Sequence, residues 1–163
     1  MRARFFASAE EGADGREVFE LVQRKLAPDA HTVKPVDMAR PTSALIVDDE
    51  AHVRVYLRML LQSVGISTIW EAADGKEAVE LFALHRPAVV LLDLAMPVVA
   101  GEQVFRDLQA IDPEVAVIVI TSQSSLKSVQ AIHELGAVAY LLKHTPREQM
   151  VLTLNEALDS LDV

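Results

Sequence analysis

The sequence contains no cysteine. That absence excludes disulfides, thiolate nucleophiles and zinc–thiolate sites, and it fits a reducing compartment. Long hydrophobic runs are missing too. The best candidates, "PAVVLLDLAMPVVAG" and "VAVIVI", are interrupted or too short for the roughly 20 apolar residues of a membrane helix. The opening "MRARFFASAEEG" has basic residues but no apolar stretch of signal-peptide length. The expectation is a cytoplasmic chain that makes no contact with a membrane. Net positive charge is also lacking: the formal charge is −9 over 163 residues. Residues 1–40 hold 7 basic and 7 acidic side chains, so the whole excess lies in 41–163, where 8 face 17. So acidic a segment argues against direct binding of nucleic acid.

What is present divides the chain in two. The stretch "APDAHTVKPVDMARPTS", 27–43, has three prolines and scattered polar residues, which break any periodicity and mark a linker. Ahead of it, "DGREVFELVQRKL" places Asp14 and Glu17 in capping-box spacing and repeats Val18, Leu21 and Val22 at helical intervals. A short amphipathic helix is expected over about 14–27, ended by Pro28. So short a helix needs a surface to lie on, either the rest of the chain or a second copy. Residues 1–43 thus read as an N-terminal extension and 44–163 as a folded domain.

Within that domain, short apolar runs rich in β-branched residues alternate with amphipathic segments. The runs are "ALIV" (44–47), "ISTIW" (66–70), "AVVLL" (88–92), "VAVIVI" (115–120) and "AVAYLL" (137–142). Strands apolar on both faces belong to a parallel sheet covered by helices. The segments between them supply the helices; the last has Thr145 as N-cap and Pro146 as its first residue. The fold class is α/β: a doubly wound, five-stranded parallel sheet with five helices, preceded by the short N-terminal helix and linker.

In such sheets the functional crevice lies at the carboxyl ends of the strands. Polar residues interrupt the pattern at those ends: Asp48 and Asp49 after the first strand, Asp93 after the third, Thr121 and Ser122 after the fourth, and Lys143 after the fifth. A lone aspartate there is an ordinary helix cap, and a lone threonine a turn residue. Caps alone, however, do not place an acidic pair, a third carboxylate and a lysine on one sheet edge. Converging carboxylates repel unless a cation sits among them, and Mg²⁺ suits oxygen ligands of this kind.

These residues resemble the receiver domains of response regulators in two-component signalling, a flavodoxin-like fold. The resemblance spans about 44–161 and rests on "LIVDDE" with Arg54, "EAADGKEA" (71–78), "LLDLAMPVVAGE" (91–102), "VIVITS" (117–122) and "LGAVAYLLK" (135–143). It implies a bacterial phosphorelay phosphoprotein, a signalling phosphoacceptor and not an enzyme in the usual sense. Asp93 is then the aspartate that accepts a phosphoryl group. Asp49 and Asp93 hold Mg²⁺ together with the carbonyl of Ala95, and Asp48 acts through a metal-bound water. Thr121 and Lys143 bind phosphoryl oxygens. The donor is a phosphohistidine on a sensor histidine kinase or phosphotransfer protein. The threonine hydroxyl moves toward the loaded phosphate and Tyr140 swings inward behind it. The resemblance places an output surface for a downstream protein or a second copy on the fourth helix, fifth strand and fifth helix, including Leu126, Val129, His133 and Tyr140.

Several positions depart from the family's pattern. Ala95 and Gln123 flank the path of a hydrolytic water, and Ala95 leaves any positioning of that water to Gln123. His144 follows Lys143 where a proline, often with a cis bond, is usual, so a trans bond with a reshaped loop or a strained one is expected. Ala100 replaces an aspartate before Gly101, which removes a cap. The five histidines show no metal-ligand spacing and none is a convincing phosphohistidine. Three rival readings fit less well. A haloacid-dehalogenase-like phosphatase needs a second acid two residues after its nucleophile, where "DLA" has Ala95. A flavin module wants a Ser, Thr and Gly-rich loop in place of "DDEAH". The third, a phosphorylation-independent docking module of the same fold, usually lacks one of the acidic or lysine positions, all of which are present here.

Overall fold

The computed structural model describes residues 6–7, 40–96, 100–122 and 125–161; of Phe6, Ala7 and Leu126 it describes the backbone alone. The expected helix over 14–27, the linker up to residue 39 and Gln123 lie outside the described residues, and Ser43, read as the linker's last residue, opens β2. One parallel sheet runs through the molecule. In chain order its elements are β1 (Phe6–Ala7), β2 (Ser43–Val47), α1 (Ala51–Ser63), β3 (Thr68–Ala72), α2 (Gly75–His85), β4 (Val89–Leu92), α3 (Gly101–Ile111), β5 (Val117–Thr121), α4 (Leu126–Leu135), β6 (Ala139–Leu142) and α5 (Arg147–Asp159). The strand order is β1-β6-β5-β4-β2-β3. The five expected strands and five helices are therefore in place, and a two-residue strand, β1, is added at one edge.

Alternation along each strand explains why the sheet is covered on both sides. Leu45 and Val47, Val90 and Leu92, Val117 and Val119, and Tyr140 and Leu142 pack with Phe82 of α2, Val104, Phe105 and Leu108 of α3, and Ile132 of α4. The intervening Ala44 and Ile46, Val89 and Leu91, Ile118 and Ile120, and Ala139 and Leu141 pack with Leu57, Leu60 and Leu61 of α1 and Met150, Leu154 and Leu158 of α5. Among the described residues no helix is long and apolar enough to cross a membrane.

Local chemistry sets the helix ends. The Asp74 side chain caps α2 by accepting from the Glu77 amide at 2.8 Å, while Glu77 accepts from the Ala73 amide at 2.9 Å. Ser125 caps α4, accepting from the Ser128 amide at 3.1 Å. Gly136 ends that helix at φ +94°, a conformation in which glycine pays no Cβ penalty. Ala100 gives α3 no side-chain cap, as its sequence position implies.

Strand starts shift by one or two residues from the sequence reading, and two of the boundary shifts have a clear local cause. β3 begins at Thr68 because the Ile66 amide donates to Leu61 O at 3.0 Å, so Ile66 closes α1 and does not open the strand. α5 begins one residue late: Pro146 is its N-cap, with extended ψ of 141°. No cis peptide bond occurs among the described residues, so the bond before His144 is trans.

Candidate functional site

The site is held by ladder hydrogen bonds that run one residue past the strands. Val47 and Leu92 are in register, and the next residue on each strand is an aspartate. The Asp93 amide donates to Val47 O at 2.9 Å and the Asp48 amide to Ala72 O at 3.1 Å. On the other side of the crevice Thr121 pairs with Leu142, and the Lys143 amide donates to Thr121 O at 2.9 Å. Arg54 fixes the acidic turn from outside, donating to Asp48 O at 2.8 Å. Backbone geometry thus brings the predicted residues together before any side chain chooses a rotamer.

The side chains then converge. Carboxylate oxygens of Asp48, Asp49 and Asp93 all lie within 4.8 Å of one another. Asp48 and Asp93 are buried and Asp49 is exposed. The Lys143 ammonium meets three carboxylates: Asp48 Oδ2 at 2.9 Å, Glu50 Oε1 at 3.0 Å and Asp93 Oδ2 at 3.1 Å. The other Asp93 oxygen accepts from the Ala95 amide at 3.1 Å, and Asp48 Oδ1 accepts from the Glu50 amide at 2.9 Å. Asp48 Oδ2 meets the ammonium as an ion pair without hydrogen-bond geometry, so this buried oxygen keeps coordinating capacity. Two buried carboxylates and one exposed one, all oxygen donors, suit a hard divalent cation that retains part of its water shell. A cavity of about 420 Å³ adjoins the site, lined by Glu50, His52, Tyr56, Ser122, Lys143 and His144 among others.

Burial alone would push the Lys143 ammonium down; its close pairing with the carboxylates of Asp48, Glu50 and Asp93 more than reverses this and holds it well above the ordinary lysine value. The same contact lowers Glu50. For Asp48, burial pushes the carboxyl up, the Glu50 amide and Lys143 offset only part of that, and the charge of Asp93 adds to it. A carboxyl raised in the folded state favours folding while protonated, and that contribution is lost as pH rises through its folded value. At neutral pH its ionised form therefore costs stability. Asp48→Asn keeps an Oδ1 acceptor for the Glu50 amide. It is expected to raise the thermal midpoint measured without metal, by about 4 °C per kcal/mol recovered, with a gain that shrinks in acid. A lower midpoint at neutral pH would show instead that the pair with Lys143 outweighs the burial.

Of the other predicted residues, Thr121 is buried at the end of β5 and Ala95 is exposed beside the crevice. Tyr140 lies in the core on the α2–α3–α4 side, where burial raises its phenol to about 12. Val129 and Tyr140 are both buried, so in this conformation neither presents a surface, although His133 is exposed. Glu50 was missed as a member of the site. Its signal was the third acid of "DDE", which reads equally as a helix-start residue.

A doubly wound sheet with an acidic trio and one lysine at its carboxyl edge defines an α/β domain with a charged, cation-accepting pocket. Residues 44–155 match the response regulator receiver domain, and the chain belongs to that family. Its members are signalling modules that accept phosphoryl groups and bind Mg²⁺ at an acidic aspartate cluster. The chain is similar to protein CcdB of Bacillus subtilis, at 36% identity over 63% of this chain and 85% of that protein. It is also similar to the transcriptional regulatory protein PdtaR of Mycobacterium tuberculosis, at 38% identity over 66% of this chain, and spans about half (52%) of that protein's length. Among solved structures it resembles the CheX–CheY–BeF3–Mg²⁺ complex of Borrelia burgdorferi with a TM-score of 0.67 and 28% identity, covering 72% of this chain and 89% of that one.

Proposed function

We propose that this receiver accepts a phosphoryl group on Asp93 from a phosphohistidine of a sensor kinase or phosphotransfer protein. The observation that carries the reading is the convergence of Asp48 and Asp93, both buried, on the single ammonium of Lys143. Asp48, Asp49 and Asp93, with the Ala95 carbonyl, would hold Mg²⁺, which when bound neutralises charge on the phosphoryl oxygens. An Asp93 carboxylate oxygen attacks phosphorus, the P–N bond breaks, the imidazole leaves with the electron pair, and an acyl phosphate forms. Lys143 turns from Asp93 to the phosphoryl oxygens, and the Thr121 hydroxyl approaches from the end of β5. Ala95 supplies no side chain to orient an attacking water, which leaves phosphoryl lifetime to the opposite side of the crevice.

The output follows as a population shift. The acyl phosphate favours the conformation in which Thr121 and Tyr140 are drawn inward, by no more than its differential affinity for the two states. The α4–β6–α5 face then meets a downstream protein or a second copy. Residues 1–43 act as an extension to the receiver at 44–163.

The deciding experiment is the intact mass of the chain after incubation with Mg²⁺ and acetyl phosphate. A phosphoryl-sized gain is expected for the wild type, abolished by Asp93→Asn and by chelation of the metal. No gain, together with no binding of beryllofluoride, would make a docking role the better description.

A further inference from the structure

The outermost strand has no place in the family resemblance. β1 runs parallel to β6, with Phe6 in register with Ala139 and Ala7 with Tyr140. It also neighbours α5. The chain returns to the same helix before entering β2: Arg40 forms an ion pair with Asp159 at 2.8 Å and donates to Asn155 at 2.9 Å, both on α5. The N-terminal extension is therefore seen at β6 and α5 at its start, and at α5 again at its end.

We propose that the β6 edge is a strand-addition site occupied by the chain's own N-terminal segment, which any partner strand must displace. Without β1, β6 would carry a hydrogen-bonding neighbour on one side only, and its other side would present unpaired backbone donors and acceptors. An extended segment satisfies them by main-chain pairing, which is the general mode of strand addition. Three further features favour this chain's own segment as the occupant. Residues 8–42 tether it to the same chain, which makes its pairing intramolecular and independent of protein concentration. Residues 1–9 contain Arg2 and Arg4 and no acid, whereas residues 41–163 carry an excess of nine negative charges. And β1 spans two residues, so its ladder is short enough to open and yield to a competitor. The edge and the flank of α5 belong to the face named above as the output surface. The inference rests on that reading only for this consequence, which makes the extension a self-held occupant of the surface offered to partners.

The test uses the full chain without metal or phosphodonor. Amide hydrogen exchange along Ala139–Leu142 is compared between wild type and the double variant Phe6→Pro/Ala7→Pro, which removes both backbone donors of β1. The β6 amides directed to the edge are expected to exchange about tenfold faster in the variant, with those of β2 and β4 unchanged. Equal exchange in the two proteins overturns the proposal. Wild-type protection that grows with protein concentration also overturns it, since the occupant is then a second copy's segment. A chain that shows the exchange difference yet binds no beryllofluoride supports this inference while sinking the phosphoacceptor reading.

Discussion

Lys143→Ala is expected to slow phosphoryl capture from acetyl phosphate by about 10²–10³-fold at saturating Mg²⁺, the loss typical of removing one preorganised stabiliser of transition-state charge. The ammonium stands 3.1 Å from the carboxylate of Asp93, the proposed nucleophile, and 2.9 Å from Asp48, with a side chain only 15% exposed. Water that replaces it is not oriented before the reaction and cannot offer a fixed positive charge. A second effect accompanies the first. Asp48 and Asp93 are 1% and 2% exposed, so losing their shared cation leaves two buried carboxylates facing one another. Breaking a buried pair on one side costs about 3–5 kcal/mol, less whatever protonation of one acid recovers. Because the ammonium is held above its ordinary value, its contribution is fully present below the unfolded lysine value and is lost only as pH rises through the folded one. Wild type and variant should therefore differ across the whole neutral range. A capture rate within about threefold of wild type would remove Lys143 from the mechanism.

Gly101→Ala is expected to destabilise the chain by about 3 kcal/mol or more, at the upper end of overpacking costs. A Cβ at this position would stand 2.5 Å from the Asp93 carbonyl oxygen and 2.5 Å from Leu94 Cα, both backbone atoms that cannot swing aside. The Gly101 amide donates to Leu94 O at 3.2 Å, so the start of α3 and the loop leaving β4 are already in contact. Relief requires one of them to move, and Asp93 moves with the loop. The urea midpoint should fall at unchanged slope, and phosphoryl capture should fall with it even where the variant remains folded. A midpoint within error of wild type would show that α3 can shift without cost.

Both effects illustrate how unevenly sequence reveals a site. Asp48, Asp93, Thr121 and Lys143 were legible because each breaks an apolar run at the end of a strand, where chain direction alone puts them on one edge. Glu50 was not legible, since an exposed acid at a helix start has an ordinary explanation and its contact with Lys143 joins residues 93 positions apart. Gly101 follows Asp93 by eight residues and carries no sign that the backbone folds back upon it. Phe6 and Ala7 are too few to show a period of any kind. Ile66 read as strand because an apolar residue that closes a helix looks the same in one dimension. Tyr140, expected on a recognition surface, packs inward because it shares a strand face with Leu142, and Val129 of α4 packs into the same cluster.

The two borders of the sheet are guarded by different means. At β3, Arg58 donates to the Ile69 carbonyl at 3.4 Å and to Glu71 at 2.9 Å, so side-chain charge blunts the exposed rim within the fold itself. At β6 the guard is a detachable piece of polypeptide. A protease that trimmed the first ten residues would therefore leave the pocket chemistry untouched while making one rim adhesive, and the trimmed molecule would gain a second way to meet its own kind in crowded solution.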